Sequence, residues 1–167
     1  MEFTVTQDFP AGLESLWAVF GRLEYPQRKY LELGATAVRI QRFHATAQVI
    51  EVDLERDVPV DRSRVPSWMR WLARSEQTLR HRSTWRRHGP RQVIAELDIE
   101  PLGLPVRAHG SGTLAESGLD ATRMRLSWQV TSMLGARVEA MFADQIRTAL
   151  DDDHAYTLQY LQRVKVE

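Results

Sequence analysis

The carboxy-terminal stretch from Leu134 to about Leu161 restricts the fold more than any other part of the chain. It reads as one long amphipathic helix arriving after a run of strands. Leu134, Val138, Phe142, Ile146, Ala149, Tyr156 and Tyr160 recur at helical spacing and form an apolar stripe. Asp151, Asp152 and His154 fall between them. A lone helix with such a stripe needs a broad apolar surface to cover. Strands with one apolar face each supply that surface, and a helix closing a β-meander wraps a space between the two.

The upstream chain supplies the strands. Residues 1–9 alternate, with Phe3, Val5 and Phe9 on one face and Glu2, Thr4, Thr6 and Asp8 on the other. Pro10 to Gly12 break this strand. A short helix follows, carried by Leu13, Leu16, Trp17 and Phe20 and ended by Gly21, and a second from about Pro26 to Leu33 stops at Gly34. Strands are then expected over Ala37–His44, Ala47–Val58, Thr78–Arg87, Gln92–Ile99, Val106–Glu116 and Thr122–Thr131. Turns such as His88-Gly89-Pro90 and Ser117-Gly118-Leu119-Asp120 join them. Short connections favour an antiparallel meander. The predicted fold is α+β: a curved antiparallel sheet of about six or seven strands around a long carboxy-terminal helix, with two short helices after the first strand. No repeat or linker divides the chain, so residues 1–167 are expected to form one domain.

Composition excludes several classes. The 167 residues carry 22 basic and 22 acidic side chains, so no global field attracts nucleic acid or an anionic membrane. The absence of cysteine removes disulfides, thiolate nucleophiles and Cys-based zinc sites. No signal peptide or membrane-length apolar run is visible, and cytoplasmic residence is the default expectation. There is no Gly-rich phosphate loop, no His-Glu-x-x-His and no nucleophile elbow. No cofactor is called for.

The element order, with Trp17 and Phe20 in the first helix and a Leu134-Gly135-x-x-x-Glu139 start to the last, resembles the helix-grip superfamily. That superfamily is also called SRPBCC or START-like. The chain looks in particular like a bacterial branch of it described as a domain of unknown function. The resemblance spans essentially the whole chain and implies a hydrophobic cavity between sheet and helix, with lipid or another hydrophobic small molecule as partner. It implies no particular reaction, since one fold hosts many functions.

Strand alternation assigns side chains to that cavity. Leu79, His81, Ser83 and Trp85 share one face, and its apolar members turn it inward. An imidazole beside a hydroxyl can orient a polar ligand group or act as a general base; the plainer reading is a histidine at the core edge bonded to a neighbour. Other inward sets include Met124, Leu126, Trp128 and Val130, and Ala108, Gly110 and Gly112. Two glycines on one face suggest sheet curvature, or room for ligand or helix. On the final helix, Phe142 and Tyr156 would supply walls, while Gln145 and Asp153 lie within or beside the stripe. The run Asp151-Asp152-Asp153 reads as a solvated edge. Consecutive residues fan around a helix, so no metal site is expected from it or from His154. Arg80, Arg82 and Arg86 face outward, opposite Glu51, Asp53 and Glu55, and cross-strand pairing accounts for them better than nucleic acid does.

The leading expectation is therefore a binding cavity walled by Trp17, Trp85, Met124, Trp128, Phe142 and Tyr156, with His81, Ser83 and Gln145 as polar contacts. Trp68, Met69, Trp71 and Leu72 form a lid, with no stable membrane insertion, in a monomer or homodimer. The alternatives are a cyclase-, dehydratase- or hydrolase-like enzyme using His81 with a nearby carboxylate, and an interaction module whose cavity its own aromatics fill.

Overall fold

Seven antiparallel strands form one sheet in the order β1-β7-β6-β5-β4-β3-β2. The computed structural model describes residues 1–165, so the last two residues of the expected domain lie outside the described structure. Its elements are β1 (Glu2–Phe9), α1 (Leu13–Phe20), α2 (Glu24–Glu32), β2 (Ala37–Ala45), β3 (Val49–Pro59), β4 (Glu76–Arg87), β5 (Gln92–Pro101), β6 (Val106–Gly118), β7 (Ala121–Ser132) and α3 (Ala136–Val164). From β2 to β7 each strand pairs with the next, through short connections except for residues 60–75 between β3 and β4. β1 closes the far edge by pairing with β7, Phe3 opposite Trp128 and Phe9 opposite Thr122.

Alternation holds along the central strands. In β7, Thr122, Met124, Leu126, Trp128 and Val130 are buried, while the residues between them are exposed. Val93 and Ala95 of β5 and Leu114 of β6 are fully covered. Each buried Leu or Val contributes about 1.5–3 kcal/mol by leaving water. On the outer face, Arg80 meets Glu55 at 2.9 Å, Arg82 meets Asp53 at 3.6 Å and Arg86 meets Glu51 at 3.9 Å, so the arginine stripe is paired across the ladder.

α3 lies against β7 and β1. It begins at Ala136, two residues later than the periodicity of Leu134 suggests. Gly135 takes φ 98°, a left-handed conformation that breaks the helix, and leaves Leu134 in the preceding turn. Glu139 holds this start in place: its carboxylate accepts from the Ser132 backbone N–H at 3.1 Å and pairs with the Met1 ammonium at 3.1 Å. The segment between β3 and β4 makes two single 3₁₀ turns, Arg62–Arg64 and Ser67–Met69.

Gly110 and Gly112 do create room, but not for ligand or for α3. A Cβ at Gly110 would lie 2.7 Å from the Trp128 ring, and one at Gly112 would strike the Arg125 carbonyl oxygen. The space belongs to the neighbouring strand, whose indole lies over Gly110.

Candidate functional site

Three neighbouring compartments lie between the sheet and the helices. The inner one, about 130 Å³, is lined by Ile50, Val52, Leu54, His81, Ser83, Trp85 and Met124 from the sheet. Phe20, Tyr25, Lys29, Tyr30 and Asp153 line it from the helices. Its volume is close to the ~150 Å³ of an engineered apolar cavity that holds a benzene ring. The middle compartment, about 160 Å³, has Arg56, Val58, Leu79, Ile99, Phe142, Gln145, Ile146 and Ala149 on its walls and shares Ile99 with the inner one. The outer compartment, about 380 Å³, reaches the segment after β3, where Val65, Met69 and Leu72 line it with Leu104 and Met141. It shares Val58, Leu79, Phe142 and Gln145 with the middle one.

A polar cluster stands between the inner and middle spaces. Arg56 has the same parity on β3 as Ile50, Val52 and Leu54, so its side chain enters the inner face. Leu54 is directly opposite His81, which makes Arg56 a diagonal neighbour of that imidazole. The Arg56 Nε–H donates to His81 Nε2 at 2.9 Å. Tyr30 covers both: its ring centroid lies 5.1 Å from that of His81 and 4.4 Å from the Arg56 guanidinium carbon. Because Nε2 accepts, the imidazole is neutral with its proton on Nδ1. Burial pushes the His81 pKa well below 6.5, and the cations of Arg56 and Lys29 push it the same way.

Beside this cluster, Lys29 pairs with Asp153 at 3.0 Å, and its ammonium lies 4.5 Å from the Tyr30 ring centroid. Burial alone would favour the neutral amine, but the Asp153 carboxylate outweighs it and the Lys29 pKa is raised. Tyr25 closes the inner end, sharing a 2.6 Å hydrogen bond with Thr157 of α3. Burial raises the pKa of its phenol.

His81, Ser83, Trp85 and Met124 come together around the inner compartment, and Phe142 with Gln145 at the two outer ones. Three expected walls lie elsewhere. Trp17 is 8% exposed, donates to the Thr46 carbonyl at 3.2 Å and lies under Arg87. Trp128 is taken up by Gly110 and by stacking on Phe3 at 6.5 Å. Tyr156 packs among Tyr25 and Tyr160. The expected lid divides: Met69 and Leu72 line the outer compartment, whereas Trp68 is 43% and Trp71 78% exposed, with the Trp71 indole N–H donating to the Trp68 carbonyl at 2.9 Å.

The acidic run also divides. Asp151 and Asp152 are exposed, but Asp153 is not part of a solvated edge, because α2 packs there and brings Lys29 to it. His154 turns to β1, where Nε2 lies 2.7 Å from the Asp8 carbonyl oxygen and the ring meets Phe9 edge-on. Arg56, Lys29 and Tyr30 are the site residues that sequence reasoning passed over. Arg56 was findable from its parity on β3.

A curved antiparallel sheet gripping one long helix over an internal cavity defines the helix-grip class, and the chain has the SRPBCC fold. Solved structures of that shape include Ara h 8.0201, with TM-score 0.60 at 9% identity over 95% of this chain and 98% of that one. The ZhuI aromatase/cyclase from Streptomyces sp. R1128 gives 0.58 at 13% identity over 98% and 94% of the two chains. A conserved protein from Geobacillus kaustophilus gives 0.56 at 10% identity over 98% and 96%. Residues 4–161 match the family described as Protein of unknown function (DUF2505), and the chain belongs to that family. No functionally curated protein matches it. Among the described residues no helix is long and apolar enough to cross a membrane.

Proposed function

We propose that the protein binds a small hydrophobic or amphipathic molecule, without covalent chemistry, in the space between the sheet and α3. The observation that carries this reading is the row of three neighbouring compartments with apolar walls and a few inward polar groups, the make-up of a small-molecule site. The outer compartment alone, at about 380 Å³, lies within the ~300–1,000 Å³ typical of such sites. Met69 and Leu72 act as the lid over it.

The aromatase/cyclase among the structural neighbours is named as an enzyme, but catalysis by His81 has weak support in this chain. Its Nε2 lone pair is engaged by Arg56, and Asp153 is engaged by Lys29. Neither is free to serve as a general base. The compartments also speak against an interaction module with a collapsed core.

The test is titration with N-phenyl-1-naphthylamine, a neutral apolar probe whose fluorescence rises on burial, with native mass spectrometry to count the bound molecules. Saturable uptake is expected, and Ala149→Phe, which fills the middle compartment, should abolish it while the circular dichroism stays unchanged. Wild-type protein that takes up no probe overturns the reading.

A further inference from the structure

Resting on that reading of the cavity, we propose that it selects amphipathic molecules that carry a carboxylate. The head group docks on Arg56 in the middle compartment and the tail runs toward Met69 and Leu72. Arg56 is a permanent cation set among Val58, Leu79, Ile99 and Phe142. The side chain is half-buried, and the part of its charge turned from water is costly unless an anion meets it.

Two other cations that reach inward have one. Lys29 has Asp153, and Arg87, stacked on Trp17, has Glu14. Arg56 has no carboxylate within 4.0 Å among the described residues. Its two protein partners orient it without neutralising it: a neutral imidazole accepts from Nε, and the Tyr30 ring centroid lies 4.4 Å from the guanidinium carbon. The Nε bond leaves the edge carrying the two Nη nitrogens, and neither has a protein acceptor among the described residues. Two parallel N–H donors on one planar edge match the two oxygens of a carboxylate.

A single guanidinium suits a monoanion. The nearby ammonium of Lys29 is already held by Asp153, so no second cation waits for the extra charge of a phosphate monoester. The tail has apolar walls beside it as well, because the middle and outer compartments adjoin across Val58, Leu79, Phe142 and Gln145. The head-to-tail direction follows, with the acid inside and the chain end under the lid.

Displacement of bound N-phenyl-1-naphthylamine by decanoic acid, 1-decanol and decyl phosphate at pH 8 tests this. Wild-type protein should release the probe at about tenfold lower decanoic acid than decanol, the factor expected of a charged hydrogen-bonded pair. Arg56→Met should abolish that preference, read as the ratio of acid to decanol displacement within the same variant, and Arg56→Lys should restore part of it. If acid and alcohol displace the probe equally from wild-type protein, the inference falls and the binding reading stands. If decyl phosphate is preferred over the acid, the carboxylate assignment falls. Wild-type protein that takes up no probe removes both. The wild-type comparison decides the matter even where a variant fails to fold.

Discussion

The Arg56 guanidinium donates through Nε to Nε2 of His81 at 2.9 Å, across the β3–β4 ladder and beneath the Tyr30 ring. That bond requires a neutral imidazole. It forms in a place where burial and two cations, Arg56 and Lys29, already depress the His81 pKa well below 6.5. The group that binds and the group that positions it are therefore coupled through one protonation state.

A pH dependence of stability follows. A base whose folded pKa lies below its unfolded value gains a proton only on unfolding once the pH falls below about 6.5, so acid favours the unfolded chain. Stability should fall as pH drops from about 6.5 toward the depressed folded value, with a slope from this residue of at most about 1.4 kcal/mol per pH unit. His81→Gln keeps an acceptor for Arg56 but cannot titrate. Urea denaturation between pH 8 and pH 5 should show a smaller loss for the variant than for wild type. Equal slopes would mean that His81 is not held neutral.

The Lys29–Asp153 pair predicts an asymmetry between single and double replacement. Asp153→Asn leaves a buried ammonium without its counter-charge. Removing one partner of a buried pair costs about 3–5 kcal/mol. Asp153 keeps 26% of its side-chain surface, which lowers the expectation to about 1.5–3 kcal/mol. The double variant Lys29→Met, Asp153→Leu should recover much of that loss, since apolar replacement of both partners removes the desolvation cost. Because the Lys29 pKa is raised, the lysine's share of the stabilisation is fully present at neutral pH and is lost only as the pH rises above ~10.5. Denaturation at pH 7 and pH 8 should give the same difference. A double variant less stable than either single one would contradict this account.

How legible these features were in the sequence depends on which physical rule governs them. Period-two alternation placed Leu79, His81, Ser83 and Trp85 on the inner face, because a strand has only two faces and the apolar residues choose between them. The same rule puts Arg56 inward, yet its charge argues for solvent. Only the three-dimensional company of Tyr30 and His81 explains why it stays inside. Asp153 shows the opposite limit. It falls three residues after Leu150 and four after Ala149, squarely in the apolar stripe, but its partner Lys29 comes from α2, and no helical period reports which helix packs where. Trp17 and Trp128 were expected at a cavity because large aromatics line cavities. They fill the core instead, since Thr46 and Gly110 offer them a hydrogen bond and a niche that a linear pattern does not reveal.

The segment proposed as a lid is divided between buried and exposed residues, and divided phenotypes are expected. Met69 is 4% exposed and lines the outer compartment, whereas Trp71 is 78% exposed. Met69→Ala should cost about 2–5 kcal/mol and speed probe release in stopped-flow experiments, because the cover loses its anchor. Trp71→Ala should alter stability by less than about 0.5 kcal/mol. Probe release that is slower in Met69→Ala than in wild type would rule out a covering role for this segment.

Gly110 lies directly opposite Trp128 in the β6–β7 ladder, and the indole occupies the place of the missing side chain. Glycine weakens a strand interior, so the pairing offsets part of its own cost: the ring covers backbone that would otherwise be bare. Gly110→Ala introduces a methyl 2.7 Å from the ring, which must shift in a fully packed core where Trp128 is 1% exposed. The expected loss is about 1–3 kcal/mol. The loss should depend on the ring, and a double-mutant cycle reads that directly. In a Trp128→Leu background the same Gly110→Ala change should cost less than about 0.5 kcal/mol, or even stabilise slightly, because alanine is the better strand residue once the niche is empty. A coupling energy of about 1 kcal/mol or more would confirm that the glycine serves the indole. Equal costs in the two backgrounds would return Gly110 to a role in sheet curvature alone.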